Sequence, residues 1–192
     1  MKNIANYIFE LGNLKKFAHS GTKYYGVRHP DSIAEHVQRT AIIGYILAKL
    51  EKADAEKVML MCLTHDNAEA RITDLHKLAR HYIDIREPEF KAYSDQVEKL
   101  PAHIAKTFLE SFKDFEDLKT KEAVVAKDAD YLETVFQCKE YAEIGYSGCL
   151  NILEKAGEHL RTASAKKLYK EAKETSFSDW FQHIRSKINF SK

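Results

Sequence analysis

The sequence predicts an all-α chain on three observations. Only 7 Gly and 3 Pro interrupt 192 residues, so turns are scarce and helices long. Apolar residues recur at three- and four-residue spacing along most of the chain, which is the period of one helix face. Helix-start signals precede several of these stretches. The clearest is S-x-x-E at Ser32 to Glu35, where serine hydroxyl and glutamate each satisfy a free backbone N–H of the first turn. The same composition excludes a β-sandwich, a collagen-like rod and a disordered tail. At this length roughly 70% of the unfolded surface leaves water on folding, so a single domain over 1–192 needs no disulfide staple.

The elements follow in order. Ile4, Ile8 and Leu11 define a first short helix that ends before Gly21. His19 to Pro30 (HSGTKYYGVRHP) has neither period and reads as a loop over a surface or cleft. The capping box starts a helix near Ile33 that stops around Glu51 to Ala53, and Asp54 caps the next, read as continuous from Ala55 to about Ala70. A short helix from Leu75 to Ile83, one from Pro88 to about Lys99 and one after Pro101 come next. Thr120 to about Ile144 reads as one long helix, broken by Gly145 to Gly148. Helices at about Cys149 to Leu160, Ala163 to Lys173 and Ser178 to Ile188 complete a compact multi-helix bundle, with Trp180 and Phe181 read as anchors of the last. Phe108, Phe112 and Phe115 recur at helical spacing and read as core or dimer contact. No internal repeat or linker divides the chain.

Charge restricts the partners. Lys+Arg 30 against Asp+Glu 29 leaves +1 with no lysine-rich run, so neither a nucleic-acid polymer nor a membrane surface is expected to bind. No apolar run approaches a membrane span. The first 16 residues carry Glu10 and no cleavage-site pattern after an apolar core, so no signal peptide is expected. Cys62, Cys138 and Cys149 form no C-x-x-C pair and are expected to be reduced core residues of a cytoplasmic protein.

The informative residues are His65 and Asp66 in the apolar stretch from Met59, followed one turn later by Glu69. Removing a carboxylate from water without a partner costs several kcal/mol, and a divalent cation is a partner for both acid and imidazole. Taken alone, the pair reads equally well as a core histidine beside a helix-surface acid. His36, Asp128, Asp130 and Glu69 shift that balance. On one continuous helix His65 and Asp66 point about 100° apart, so other helices must bring ligands to the same spot. His36 and a later aspartate are the natural suppliers. The remaining histidines, His29, His76, His81, His103, His159 and His183, share no ligand spacing and read as surface or helix-end residues.

SIAEH at 32–36, THDNAE at 64–69, TD at 73–74 and KDAD at 127–130 resemble the HD-domain metal-dependent phosphohydrolases over roughly residues 1–145, with helices 149–188 packed on that unit. SIAEH followed by HD-x-x-E-x-x-x-x-D is similar, more narrowly, to the bacterial 5′-deoxynucleotidase branch, whose members are all-helical dimers. The resemblance implies a metal held by His36, His65, Asp66 and Asp130. Asp130 is favoured because KDAD matches the family's K-x-x-D, with Asp128 as second choice because the helix face alone does not decide between them. It also implies Glu69 and Asp74 as catalytic acids that orient or deprotonate water and protonate the leaving oxygen. The family's arginine and aromatic after L-K are replaced here by His19 and Thr22, so His19, Lys23, Tyr24 and Arg28 stand as substitutes, with His19, Lys23 and Arg28 taken as the substrate contacts.

Two imidazoles and two carboxylates suit Co²⁺, Mn²⁺, Fe²⁺, Ni²⁺ or Zn²⁺, with Mg²⁺ a further candidate. Such an ion acidifies water towards neutral pH and neutralises charge on phosphoryl oxygens. The expected reaction is phosphomonoester hydrolysis of a small nucleotide, with the resemblance pointing to deoxyribonucleoside 5′-monophosphates and a homodimer. Two other readings use the same residues: phosphodiester or pyrophosphate hydrolysis of a cyclic or signalling nucleotide, and a non-catalytic nucleotide-sensing module that keeps a structural ion.

Overall fold

A computed structural model describes residues 1–188; positions 189–192, the end of the expected domain, lie outside the described residues. It contains eleven α-helices and, among the described residues, no strand. In order they are α1 (Lys2–Leu11), α2 (Ile33–Glu51), α3 (Ala55–Thr64), α4 (Glu69–Ile72), α5 (Lys77–Tyr82), α6 (Arg86–Val97), α7 (Ala102–Asp117), α8 (Lys121–Glu143), α9 (Cys149–Glu158), α10 (Ala163–Glu174) and α11 (Asp179–Arg185). Two 3₁₀ turns, Gly12–Lys15 and Ser20–Tyr25, precede α2. None of these helices is long and apolar enough to cross a membrane.

The capping signals form as the sequence predicts. Ser32 Oγ accepts from the Glu35 N–H at 3.3 Å while Glu35 Oε2 accepts from the Ser32 N–H at 2.6 Å. Asp54 accepts from the N–H groups of Glu56 and Lys57. Thr120, expected as the first residue of the long helix, instead caps it by accepting from the Ala123 N–H. α2, α3 and α8 then bury Leu47, Val58, Met61, Cys62, Val125, Ala129 and Leu132 in one cluster. Gly44 permits the close approach at its centre, since a Cβ there would lie 2.7 Å from Cys62 Sγ. Contacts between His36 and Glu133, Gly44 and Ala129, and Asp54 and Glu122 show that α2 and α8 run antiparallel. A second cluster joins α8 to α9 through Val135, Cys138, Cys149 and Leu153, and a third places Tyr7, Tyr93, Val97 and Phe112 under α1, α6 and α7. All three cysteines are buried and free.

Three expectations need correction. The helix expected from Ala55 to Ala70 ends at Thr64, and residues 65–71 wind more tightly, with Asn67, Glu69, Ala70 and Arg71 N–H groups bonding three residues back. That tightening alters the directions in which His65 and Asp66 point. Trp180 and Phe181 are exposed, and α11 buries no residue. Instead of an aromatic anchor, Ser176 Oγ donates to Glu143 at 2.6 Å just ahead of α11.

The third correction concerns Asp128, the second choice as a metal ligand. It is 1% exposed, and its carboxylate accepts from the Arg161 N–H, the Thr162 N–H and the Thr162 hydroxyl at 2.7–2.9 Å. It thereby joins α8 to the start of α10. Two residues along a helix rotate about 200°, so Asp130 faces the opposite way. Asp128→Ala should lower stability by about 1–3 kcal/mol, because two part-buried N–H groups and a hydroxyl lose a buried carboxylate acceptor. Thermal melting should show the loss while metal affinity stays unchanged; a melting temperature equal to wild type would refute this role.

Candidate metal centre

His36 lies in the first turn of α2, 1% exposed, and Asp130 projects from the facing side of α8. His36 Nε2 is 3.4 Å from Asp130 Oδ1 and 3.7 Å from Asp66 Oδ2. His65 Nε2 lies 3.2 Å from Asp66 Oδ2 and 3.8 Å from Asp130 Oδ1. Four donor atoms from three separate stretches of chain therefore converge on one point. The ligand atoms offered by His36, His65 and Asp66 all lie within 4.8 Å of one another.

The second nitrogen of each ring is fixed. Glu133 Oε2 sits 2.5 Å from His36 Nδ1, and its other oxygen accepts from Arg39 Nε at 2.9 Å. His65 Nδ1 bonds the Cys62 carbonyl at 2.9 Å. A carbonyl only accepts, so Nδ1 carries a proton, and it is the neutral ring whose Nε2 offers a lone pair to a cation. Yet His65 Nε2 is buried and has no hydrogen-bond partner. A buried, unpaired acceptor beside two carboxylates is the pattern that a cation completes, with outer partners setting the tautomer of each imidazole. The residues present fit a borderline divalent metal.

The charges follow from crowding. Burial opposes ionisation of Asp66, but His65 and His36 hold its carboxyl down at about 2. Burial likewise opposes the charge on Asp130, and Lys127 and the two imidazoles overcome it, holding that acid well below the ordinary range. Lys127 Nζ is 2.9 Å from Asp130 Oδ2. Burial also disfavours protonation of His36, but Asp130, Glu133 and Asp66 together raise it well above an ordinary histidine.

His36, Asp66, Lys127 and Asp130 line a cavity of about 520 Å³ whose other walls come from Ser20–Tyr25, α5, α8 and α9. That volume is in the range of small-molecule sites. Tyr24 Oη and His76 Nε2, 2.9 Å apart, link the first two walls. A larger, more open groove of about 790 Å³ beside Lys15, Arg39 and Tyr141 contains neither Asp66 nor Asp130.

Glu69 and Asp74 both line the cavity. Glu69 is 4% exposed; burial, reinforced by Asp66, Asp74 and Glu89, raises its carboxyl well above the ordinary value. Asp74 does not cap α5, since His76 accepts from the Ala79 N–H there. Asp74 Oδ2 instead accepts from the N–H of Ser20 and from its hydroxyl, pinning the distant loop. Thr73, just before it, has φ +60°, a conformation unfavourable for a β-branched residue. His19 lines the cavity, its ring centroid 4.4 Å from that of His36. Lys23 and Arg28, expected as substrate contacts, are exposed and do not line the cavity; Lys23 lies in the second 3₁₀ turn and Arg28 beyond its end at Gly26.

Sequence reasoning passed over Glu133 and Arg80. Glu133 lies one turn after Asp130 and is 1% exposed, a burial that required a partner. Arg80, on the short α5, reaches the cavity beside Glu69.

The model of a family described as HD domain matches residues 11–174. The chain belongs to the HD domain family. The match runs through α10, beyond the 1–145 expected from motifs alone. Among curated HD-domain relatives, a 5′-deoxynucleotidase HDDC2 of Dictyostelium discoideum is 28% identical over 151 residues, 73% of this chain and 78% of that protein. The human protein of the same name is 24% identical over 74% of this chain and 70% of its own length. A conserved hypothetical protein from Pyrococcus furiosus superposes with a TM-score of 0.74 at 29% identity, covering 89% of this chain and 99% of that one.

Proposed function

We propose that this HD-domain protein is a metal-dependent phosphohydrolase that converts deoxyribonucleoside 5′-monophosphates to nucleoside and phosphate. The observation that carries the reading is the clustering of His36, His65, Asp66 and Asp130, three of which line the cavity, with buried Glu69 also lining it. The names of the curated relatives support the deoxyribonucleotide.

The four converging residues hold the divalent ion, which when bound supplies Lewis acidity and neutralises charge on the phosphoryl group. A water attacks phosphorus as the bond to the 5′-oxygen breaks, and the departing oxygen needs a proton. Glu69, buried beside the cavity with its carboxyl held above the ordinary value, is placed to give that proton to the 5′-oxygen and to regain one from the attacking water. Asp74 holds Ser20, and through it the loop bearing His19, against the cavity. Lys127 fixes Asp130 and adds positive charge nearby.

The chain acts as one unit. An exposed apolar stripe on α2, Ile42, Tyr45, Ile46 and Leu50, supports self-association to a homodimer. Three free buried thiols support a reducing, cytoplasmic setting.

The test is phosphate release by metal-stripped protein resupplied with Co²⁺, Mn²⁺, Fe²⁺, Ni²⁺, Zn²⁺ or Mg²⁺, on ribo- and deoxyribonucleoside mono-, di- and triphosphates and cyclic nucleotides. Release from deoxyribonucleoside monophosphates ahead of their ribo counterparts is expected. Turnover confined to cyclic nucleotides would replace the reading with a phosphodiesterase. Tight metal binding without turnover would leave a sensing module.

A further inference from the structure

A phosphate dianion entering this cavity meets Asp66, Glu69, Asp74 and Asp130. The bound cation offsets part of that negative charge, and protein cations must offset more. The N-terminal loop does not supply them, since Lys23 and Arg28 lie outside the cavity. Of the lysines that line it, Lys127 is bound to Asp130, Lys155 pairs with Glu158 at 3.1 Å, and Lys77 is exposed, its Nζ 5.9 Å from the Tyr131 ring centroid.

Arg80 is different. Its Nε donates to the Leu75 carbonyl at 2.8 Å, which fixes the plane of the guanidinium. Its two Nη groups face the cavity side of α5 with no carboxylate oxygen closer than 3.5 Å, Glu89 on one side at 3.5 Å and Glu69 at 3.8 Å. The fork is thus oriented by a backbone bond and held loosely between two acids, neither of which binds it at the 2.7–2.9 Å typical of an arginine–carboxylate pair. Glu89 takes one N–H from each Nη through these long 3.5 Å bonds, which leaves two N–H donors open and two held weakly enough for a phosphate of matching geometry to displace the acid. The side chain is 38% exposed, and α5 buries no residue, so packing against a core does not explain its position.

We infer that Arg80 is the phosphate-binding arginine of this site, gripping the substrate's phosphoryl oxygens from α5 in the role that the N-terminal loop was expected to fill. The inference rests on the phosphohydrolase reading above. The planar fork matches two phosphoryl oxygens at once, which a lysine cannot reproduce. Glu89 competes with the phosphate for the same donors, so weakening that competitor strengthens the grip.

Inorganic phosphate is the probe, titrated calorimetrically into metal-loaded protein, with metal affinity and melting temperature measured alongside. Arg80→Gln should weaken phosphate binding by about 10- to 100-fold, the range of lost charge-assisted hydrogen bonds. Metal affinity should be unchanged. Arg80→Lys should fall between the two, and added guanidinium should restore binding to Arg80→Ala. Glu89→Gln should tighten phosphate binding, an effect of opposite sign that an arginine serving only to pair Glu89 would not produce. Equal phosphate affinity in wild type and Arg80→Gln overturns the inference while hydrolysis by the wild type stands. A wild type that neither binds phosphate nor releases it from any nucleotide overturns both readings together.

Discussion

Asp66→Ala abolishes metal retention and, with it, phosphate release. Asp66 Oδ2 is the atom nearest His65 Nε2 among the converging donors and lies 3.7 Å from His36 Nε2, so its removal opens the side of the site shared by both imidazoles. Loss of even an outer partner lowers metal affinity by about 10- to 100-fold, and loss of a ligand exceeds that. Since the cation supplies several kcal/mol of transition-state stabilisation, turnover should drop more than about 1000-fold. Metal content after gel filtration and phosphate release at saturating metal measure the two effects. A variant that keeps stoichiometric metal and full activity refutes the assignment.

Glu69→Gln gives the second large effect and separates proton transfer from metal binding. Glutamine fills the same volume but has no acidic proton, so the rate should fall by about 10²- to 10⁴-fold while metal content is unchanged. Stability moves the other way. Burial, with Asp66, Asp74 and Glu89 adding to it, raises the Glu69 carboxyl in the folded protein. Between the ordinary carboxylate value and that raised one, the folded state holds a proton that the unfolded state has released. Stability of the metal-free protein therefore falls as pH rises through that window. Glutamine removes this term. Melting temperatures of variant and wild type should diverge in the variant's favour as pH rises above the ordinary carboxylate value; a constant gap would contradict the buried, proton-holding acid.

The long amphipathic helices were legible because local signals specify them. The capping box at Ser32 and the cap at Asp54 both formed where residue type and spacing place them. The convergence of His36, His65, Asp66 and Asp130 was accessible only through motif resemblance, because helical period fixes a face and not its neighbour. The break after Thr64 was not legible. It arises from three-residue-back bonding over 65–71 in an environment of buried polar groups, and apolar periodicity carries no trace of it. Asp128 and Asp130 could not be ranked by their sequence neighbours, since the choice depends on Thr162 arriving from a distant helix. Lys23 and Arg28 sit in a glycine-rich stretch whose 3₁₀ winding no local pattern announces. Arg80 and Glu133 were passed over because charged residues at such positions usually only meet solvent, and tertiary contacts alone show that Glu133 is buried and that Arg80 reaches the cavity.

The converging ligands are far apart in the chain. His36 and the glutamate that orients it are 97 residues apart, and only His65 and Asp66 are neighbours. An unfolded chain offers a cation two adjacent donors at most, whereas the folded chain offers four. The cation thus binds one state and barely the other, which makes its concentration a thermodynamic variable of folding. At a hundredfold excess over its dissociation constant it adds about 2.7 kcal/mol to the folded state. Chelation removes that increment, and proteases act on the population that unfolds. Cellular abundance of this protein should therefore track supply of its metal, independently of any change in its synthesis.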